Sequence, residues 1–272
     1  MKKLIAMLLV LTMVLSFAAC AKQDTVTPTV ADVTITTAAA DPTPAAETEA
    51  SDPAPVVTGM SHADYVAADN ETEVVVETYV QAHQSWWDNK VTVYCQSPDG
   101  AYFLYELACS EEDAAKLVPG TKIRVTGFKG EWSGEVEIMD GTFEFVEDGD
   151  TYVAEALDVT DLLGTDELID HQNEFVSFTG LTVAPSTDAN GNEAAFLYNW
   201  DGSGEKGNDL YFNVTVNGQT YNFCVESYLC GQDTEVYQAV EALQIGDVIN
   251  AEGFLYWYEG VNPHITSVSA AN

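Results

Sequence analysis

The sequence predicts a mainly β protein: two tandem five-stranded barrels, each with a short helix, behind a disordered tether. Three observations carry that expectation. Short runs of alternating apolar and polar residues, bounded by Gly, Pro, Asn and Asp, fill residues 59–272, as half-buried strands do. The stretch from Leu117 to Gly127 returns without a gap as Leu243 to Gly253. Ahead of both, Ala21 to Thr58 holds no aromatic residue and is rich in Thr, Ala, Val, Pro and acidic residues, too little apolar surface to offset the entropy of ordering.

The N-terminus comes first. Met1-Lys2-Lys3 precedes an apolar run from Leu4 to Leu15, closed by Ser16-Phe17-Ala18-Ala19-Cys20. A basic start, a short apolar run and small residues before a cut make a secretory signal, and the run falls short of the roughly 20 residues a spanning helix needs. Phe17-Ala18-Ala19-Cys20 resembles the lipobox of bacterial lipoproteins, with Phe17 in place of the usual Leu. The resemblance implies removal of residues 1–19 and lipid on Cys20, which would hold the chain on the extracytoplasmic face of the cell membrane. A plain signal peptide cut near Ala19 is the alternative. Residues 20–58 then form the tether, stiffened locally by Pro28, Pro42, Pro44, Pro53 and Pro55.

The first barrel is expected over 59–160. Ser61-His62-Ala63-Asp64 has the form of a capping box opening a short helix. Glu73 to Val80, Lys90 to Tyr94 and Ala101 to Leu107 alternate as strands, with Ser97-Pro98-Asp99-Gly100 as a turn. Ser110-Glu111-Glu112-Asp113 caps a helix reaching Leu117, and Lys122 to Phe128 and Glu135 to Phe145 complete five strands. The second barrel is expected over 161–272. Leu162, Leu163, Leu168 and Ile169 suggest a short helical connector, and Asp233 or Thr234 caps a helix whose Val236, Val240 and Leu243 share one face.

In the repeat, Leu117, Gly120, Ile123 and Gly127 meet identical residues at Leu243, Gly246, Ile249 and Gly253, and Trp132 falls opposite Tyr258. A strand pair, a helix, leucine-x-x-glycine and a strand ending in glycine resembles the OB-fold at the entry to its fourth strand, over residues 60–272. The whole chain resembles surface lipoproteins of gut-type Gram-positive bacteria, which implies location and architecture but no activity.

Forty-four acidic residues against nine basic ones give a net charge of −35. That balance repels phosphate backbones, so nucleic acid is disfavoured as a partner; Lys122, Arg124 and Lys129 are the sole basic cluster. Cys95, Cys109, Cys224 and Cys230 remain after Cys20. If the turn places Cys95 opposite Tyr102, Cys109 lies about 23 Å along the strand, whereas a disulfide needs Cα atoms within about 7 Å. The disulfide state stays open, and no paired C-x-x-C spacing suggests zinc.

No catalytic set assembles: His62, His83, His171 and His264 are scattered, and no G-x-S-x-G, H-E-x-x-H or phosphate loop is present. The chain is therefore expected not to be an enzyme. Its strongest functional signal is aromatic. Trp86 and Trp87 fall between the first two strands, Trp132 between the fourth and fifth, and Tyr256, Trp257 and Tyr258, followed by His264, at the matching junction of the second repeat. Those loops flank the usual OB binding face. Presented there, the rings would suit a carbohydrate, a peptide or an envelope protein; alternatively they cover an interdomain seam and the chain is a surface scaffold or spacer. Nucleic-acid binding is a third reading. A calcium ion is a further candidate at Asp188, Asn190 and Asn192, with Asp201 and Asp209 as additional ligands, although Asn190-Gly191 also reads as a hairpin turn.

Overall fold

The computed structural model describes residues 59–271; the signal segment, Cys20 and the expected tether up to Thr58 lie outside the described residues. The first barrel comprises α1 (His62–Ala67), β1 (Glu73–His83), β2 (Lys90–Ser97), β3 (Gly100–Ala108), α2 (Glu111–Ala114), β4 (Lys122–Trp132) and β5 (Glu135–Phe145). Its strands close in the order β1-β2-β3-β5-β4, with β4 returning to β1. The turn at Ser97–Gly100 sets the β2–β3 register and places Cys95 opposite Tyr102.

Alternation along β1 sets its two faces: Val74, Val76 and Val80 point inward and are fully buried, while Glu73, Glu77 and Tyr79 lie on the other face. Ser61 caps α1 by accepting the Asp64 N–H, and Tyr65 from that helix packs into the barrel core. The helix suggested up to Leu117 is shorter. α2 stops at Ala114, because Lys116 and Leu117 donate to carbonyls three residues back, which tightens the chain ahead of Pro119.

The second barrel contains β6 (Leu157–Asp158), β7 (Phe175–Ala184), β8 (Ser186–Thr187), β9 (Glu193–Ala194), β10 (Leu197–Tyr198), β11 (Leu210–Val216), β12 (Gln219–Val225), α3 (Glu235–Glu241), β13 (Val248–Phe254) and β14 (His264–Ala270). Its order, β11-β12-β14-β13-β7, is closed by pairing of β11 with β7. It matches the first barrel strand for strand, down to the parallel pairing of third and fifth strands, β3 with β5 and β12 with β14. Two 3-10 turns, Thr160–Leu162 and Asp166–His171, link the barrels, with Leu163 and Leu168 buried in the second core. Thr234 caps α3, whose Val236, Tyr237 and Val240 enter that core.

Each barrel thus has its own apolar core, and a third cluster joins them. Tyr94, Phe103 and Phe254 are buried together, with Phe175 and Tyr256 packed against them. Around this cluster, Phe175 N–H donates to Gln96 Oε1 (2.8 Å), Asn173 Nδ2 to the Val136 carbonyl (3.1 Å), and Glu259 N–H to the Ser133 carbonyl (2.8 Å). The four described cysteines are free and buried.

Candidate functional site

The seam opens on one side into a cleft of about 750 Å³, within the range of small-molecule sites. Both barrels build it. From β3 of the first come Phe103 and Tyr105, and from the second come Trp200, Tyr211 on β11, Tyr256, Tyr258 and His264, with Gln84, Asn222, Asn262, Glu226 and Glu259 as polar lining. Alternation along β3 accounts for the first wall: the outer face of the first barrel, here turned to the second, receives Phe103 and Tyr105.

The floor is fixed by ring contacts and one buried hydrogen bond. Tyr256 stacks on His264 at 4.1 Å between centroids, and Phe103 meets Tyr256 edge-on at 5.2 Å. Burial drives the His264 imidazole down to about 3, so it is neutral. The Tyr94 hydroxyl and His264 Nδ1 share a hydrogen bond of 2.6 Å, and Gln84 Nε2 donates to the Tyr94 oxygen. Both walls are thereby held by groups from both barrels.

Glu226 follows β12. Its Oε1 accepts the Tyr228 N–H (3.2 Å) and its Oε2 the Leu229 N–H (2.8 Å). Burial pushes this carboxyl up to about 7, and Asp209 beside it adds to the rise. No Lys or Arg lines the cleft among the described residues. Elsewhere each described Lys and Arg is engaged: Lys90 with Glu106, Lys116 with Glu112 and Asp113, Lys122 with Asp148 and Arg124 with Glu77 and Glu144. Lys206 pairs with Glu241, and Lys129 is buried with Nζ on the Val66 and Ala68 carbonyls.

Only part of the aromatic set expected from the sequence meets here. Tyr256, Tyr258 and His264 line the cleft, but His264 belongs to β14 and is buried, and Tyr256 packs in the seam. Trp257 is half-buried against the second core and its N–H donates to Glu135. Trp86 is half-buried, with Nε1 donating to the Cys109 carbonyl (2.8 Å). Trp87 and Trp132 are 74% and 61% exposed and do not line the cleft, although Trp87 lines an adjoining hollow with Gln84 and Tyr105. Phe103, Tyr105, Trp200, Tyr211 and Glu226 were not singled out from sequence. Their long-range juxtaposition follows from the docking of the barrels, for which single-strand alternation holds no signal.

At the expected calcium site, Asp188 Oδ1 accepts the Asn190 and Asn192 N–H groups and Oδ2 accepts Asn192 Nδ2. These bonds close the β8–β9 hairpin, and among the described residues no cluster of three or more His, Cys, Asp or Glu is placed to hold a metal.

The chain matches no protein family and no curated protein. Solved structures similar to it include a murine DNA-binding protein bound with double-stranded DNA, at 11% identity over 73% of this chain and 96% of that one, with a TM-score of 0.36. The p204 HINb domain covers 75% and 99% at 11% identity and a TM-score of 0.33. The Ifi202 HINa domain in complex with 20-bp double-stranded DNA covers 75% and 97% at 10% and 0.32. A likeness of this size concerns the fold and assigns no ligand to this chain.

Two expectations are corrected. The expected aromatic set is not presented together on loops to a carbohydrate, a peptide or an envelope protein: Tyr256 and His264 are packed between the barrels, and Trp86 and Trp257 are half-buried. The expectation that nucleic acid is a disfavoured partner is withdrawn; the structures similar in fold, at TM-scores of 0.36 and 0.32, include DNA-bound proteins.

Proposed function

We propose that the chain binds a small molecule in the cleft between its two barrels and does no chemistry on it. The observation that carries this reading is the cleft itself: about 750 Å³, with rings from both barrels and polar groups at its edges. Pockets of this size with aromatic walls and a few convergent polar groups are what ligand sites are built from. The polar groups include no activated nucleophile. The cysteines are buried with their thiols pushed up by burial, and His264 is spent on Tyr94.

Tryptophan fluorescence of the full-length protein, titrated with benzyl alcohol as a neutral aromatic probe and with choline, tests this. A saturable change that Trp200→Ala or Tyr258→Ala abolishes is expected with at least one probe. A change that survives both substitutions, or none with either probe, would place no ligand in the cleft.

A second reading, stacking on nucleic-acid bases, is favoured by the exposed rings of Trp87, Trp132 and Trp200, since every base offers a face to an aromatic ring. A phosphate backbone would have to draw Lys122 and Arg124 away from Glu77, Asp148 and Glu144. A gel shift at low salt with single- and double-stranded DNA separates the readings: retardation lost in Trp87→Ala or Trp132→Ala supports nucleic acid.

A further inference from the structure

We infer that the cleft takes a small organic cation of the alkylammonium class, its charge facing Glu226 and Glu259 and its carbon body lying on the rings of Tyr105, Trp200, Tyr211 and Tyr258. This rests on the reading of the cleft as a ligand site.

The argument starts from the carboxylate. Glu226 is half-buried at the cleft, and its described partners are two backbone N–H groups and no cation. Even partial removal from water disfavours a carboxylate without a counter-charge. Two hydrogen bonds leave a carboxylate with further lone pairs, so Glu226 can still accept from, or sit against, a ligand. The rise of its carboxyl to about 7 has the same origin: burial, with Asp209 adding negative charge nearby. A bound cation would supply the missing charge.

The rings point to the same class. The face of an aromatic ring is negative, and several rings around one space attract a cation, most strongly where water is excluded. Five lining residues are Tyr or Trp: Tyr105, Trp200, Tyr211, Tyr256 and Tyr258. Tyr256 is already occupied by His264 and Phe103, which leaves four available. An anionic ligand meets two carboxylates and no lining Lys or Arg. A neutral ligand would use the rings and leave Glu226 as it is. Only a cation satisfies both.

Isothermal titration of the full-length protein with choline and with 3,3-dimethylbutan-1-ol, in which carbon replaces the charged nitrogen at the same shape, tests the inference. Choline is expected to bind about tenfold more tightly than the alcohol, and Glu226→Gln is expected to remove most of that preference. The glutamine amide of that variant retains an oxygen for the Leu229 N–H, and a thermal melt checks that the variant folds; if it does not, the two probes on the wild type decide alone. Equal binding of choline and the alcohol would overturn the charge argument and leave the cleft as a ligand site. Binding of benzyl alcohol alone would overturn it in the same way. Binding of none of the three would remove the cleft reading itself.

Discussion

Glu135 shows how one residue ties the barrels together and makes the tie depend on pH. It opens β5 of the first barrel, is fully buried, and its Oε2 accepts the Trp257 N–H (2.8 Å) and Gln172 Nε2 (3.3 Å), both from the second barrel. Its Oε1 has no hydrogen-bond partner among the described residues. Glu137, Tyr65 and Tyr256 lie close by, with the Asn173 side-chain amide. Burial raises the Glu135 carboxyl from its ordinary 4.5 to about 8, against the pull of the Trp257 N–H, and burial raises Glu137 to about 7. Both folded-state values exceed the unfolded ones. The folded state therefore holds these protons more tightly, and the stability they confer is full below about pH 4.5 and lost as pH rises through 7 to 8. The melting temperature should fall between pH 5 and pH 8, on the order of 5 °C, and Glu135→Gln should flatten that slope and raise stability at pH 8. An unchanged slope in the variant would show that Glu135 is not buried in the protonated form.

At the scale of elements, the repeat found in sequence has a physical cause at its last glycine. Gly127 in β4 and Gly253 in β13 sit where the fourth strand bulges against the fifth. A methyl group on Gly127 would come within 2.7 Å of Ile138 Cγ2 and 2.9 Å of the Met139 carbonyl; on Gly253 it would strike the His264 carbonyl and reach the Ile265 Cα at 2.7 Å. One neighbour is partly side chain, the other entirely backbone. Gly253→Ala should therefore destabilise by more than Gly127→Ala, each by about 1–3 kcal/mol, read as shifts in the urea midpoint. Equal, negligible shifts would mean that the strands do not approach so closely. Much of the element level was legible beforehand. The β2–β3 register, the Ser61 and Thr234 caps and the five strands of the first barrel follow from alternation and turn residues, which are local. The ends were less so. α2 is shorter than its capping sequence suggested, and His264 belongs to a strand where the sequence reads as a loop, because Asn262-Pro263 precedes a pairing with Cys224 and Phe254 that only the closed barrel provides.

At the scale of the molecule, alternation tells which face of a strand avoids the barrel core but not what covers that face. Glu135 and Glu137 alternate with Val136 and Ile138, a pattern that reads as solvent-facing carboxylates, yet the second barrel lies over them. The same docking assembles Phe103 and Tyr105 with Trp200, Tyr211 and Tyr258, residues up to 155 positions apart, so the cleft could not be read from any one segment. The aromatic residues singled out in the sequence are dispersed in the structure: Tyr256 and His264 form the cleft floor, Trp86 and Trp257 are packed, and Trp87 and Trp132 lie outside the cleft lining. The central claim is that the ligand site is the cleft and not those outer loops. With the five tryptophans labelled as 5-fluorotryptophan and assigned by Trp→Phe variants, fluorine NMR during a choline titration tests it directly. The Trp200 resonance should shift and saturate while those of Trp87 and Trp132 stay fixed; movement of Trp87 or Trp132 with Trp200 unchanged, or no movement at all, would contradict the account.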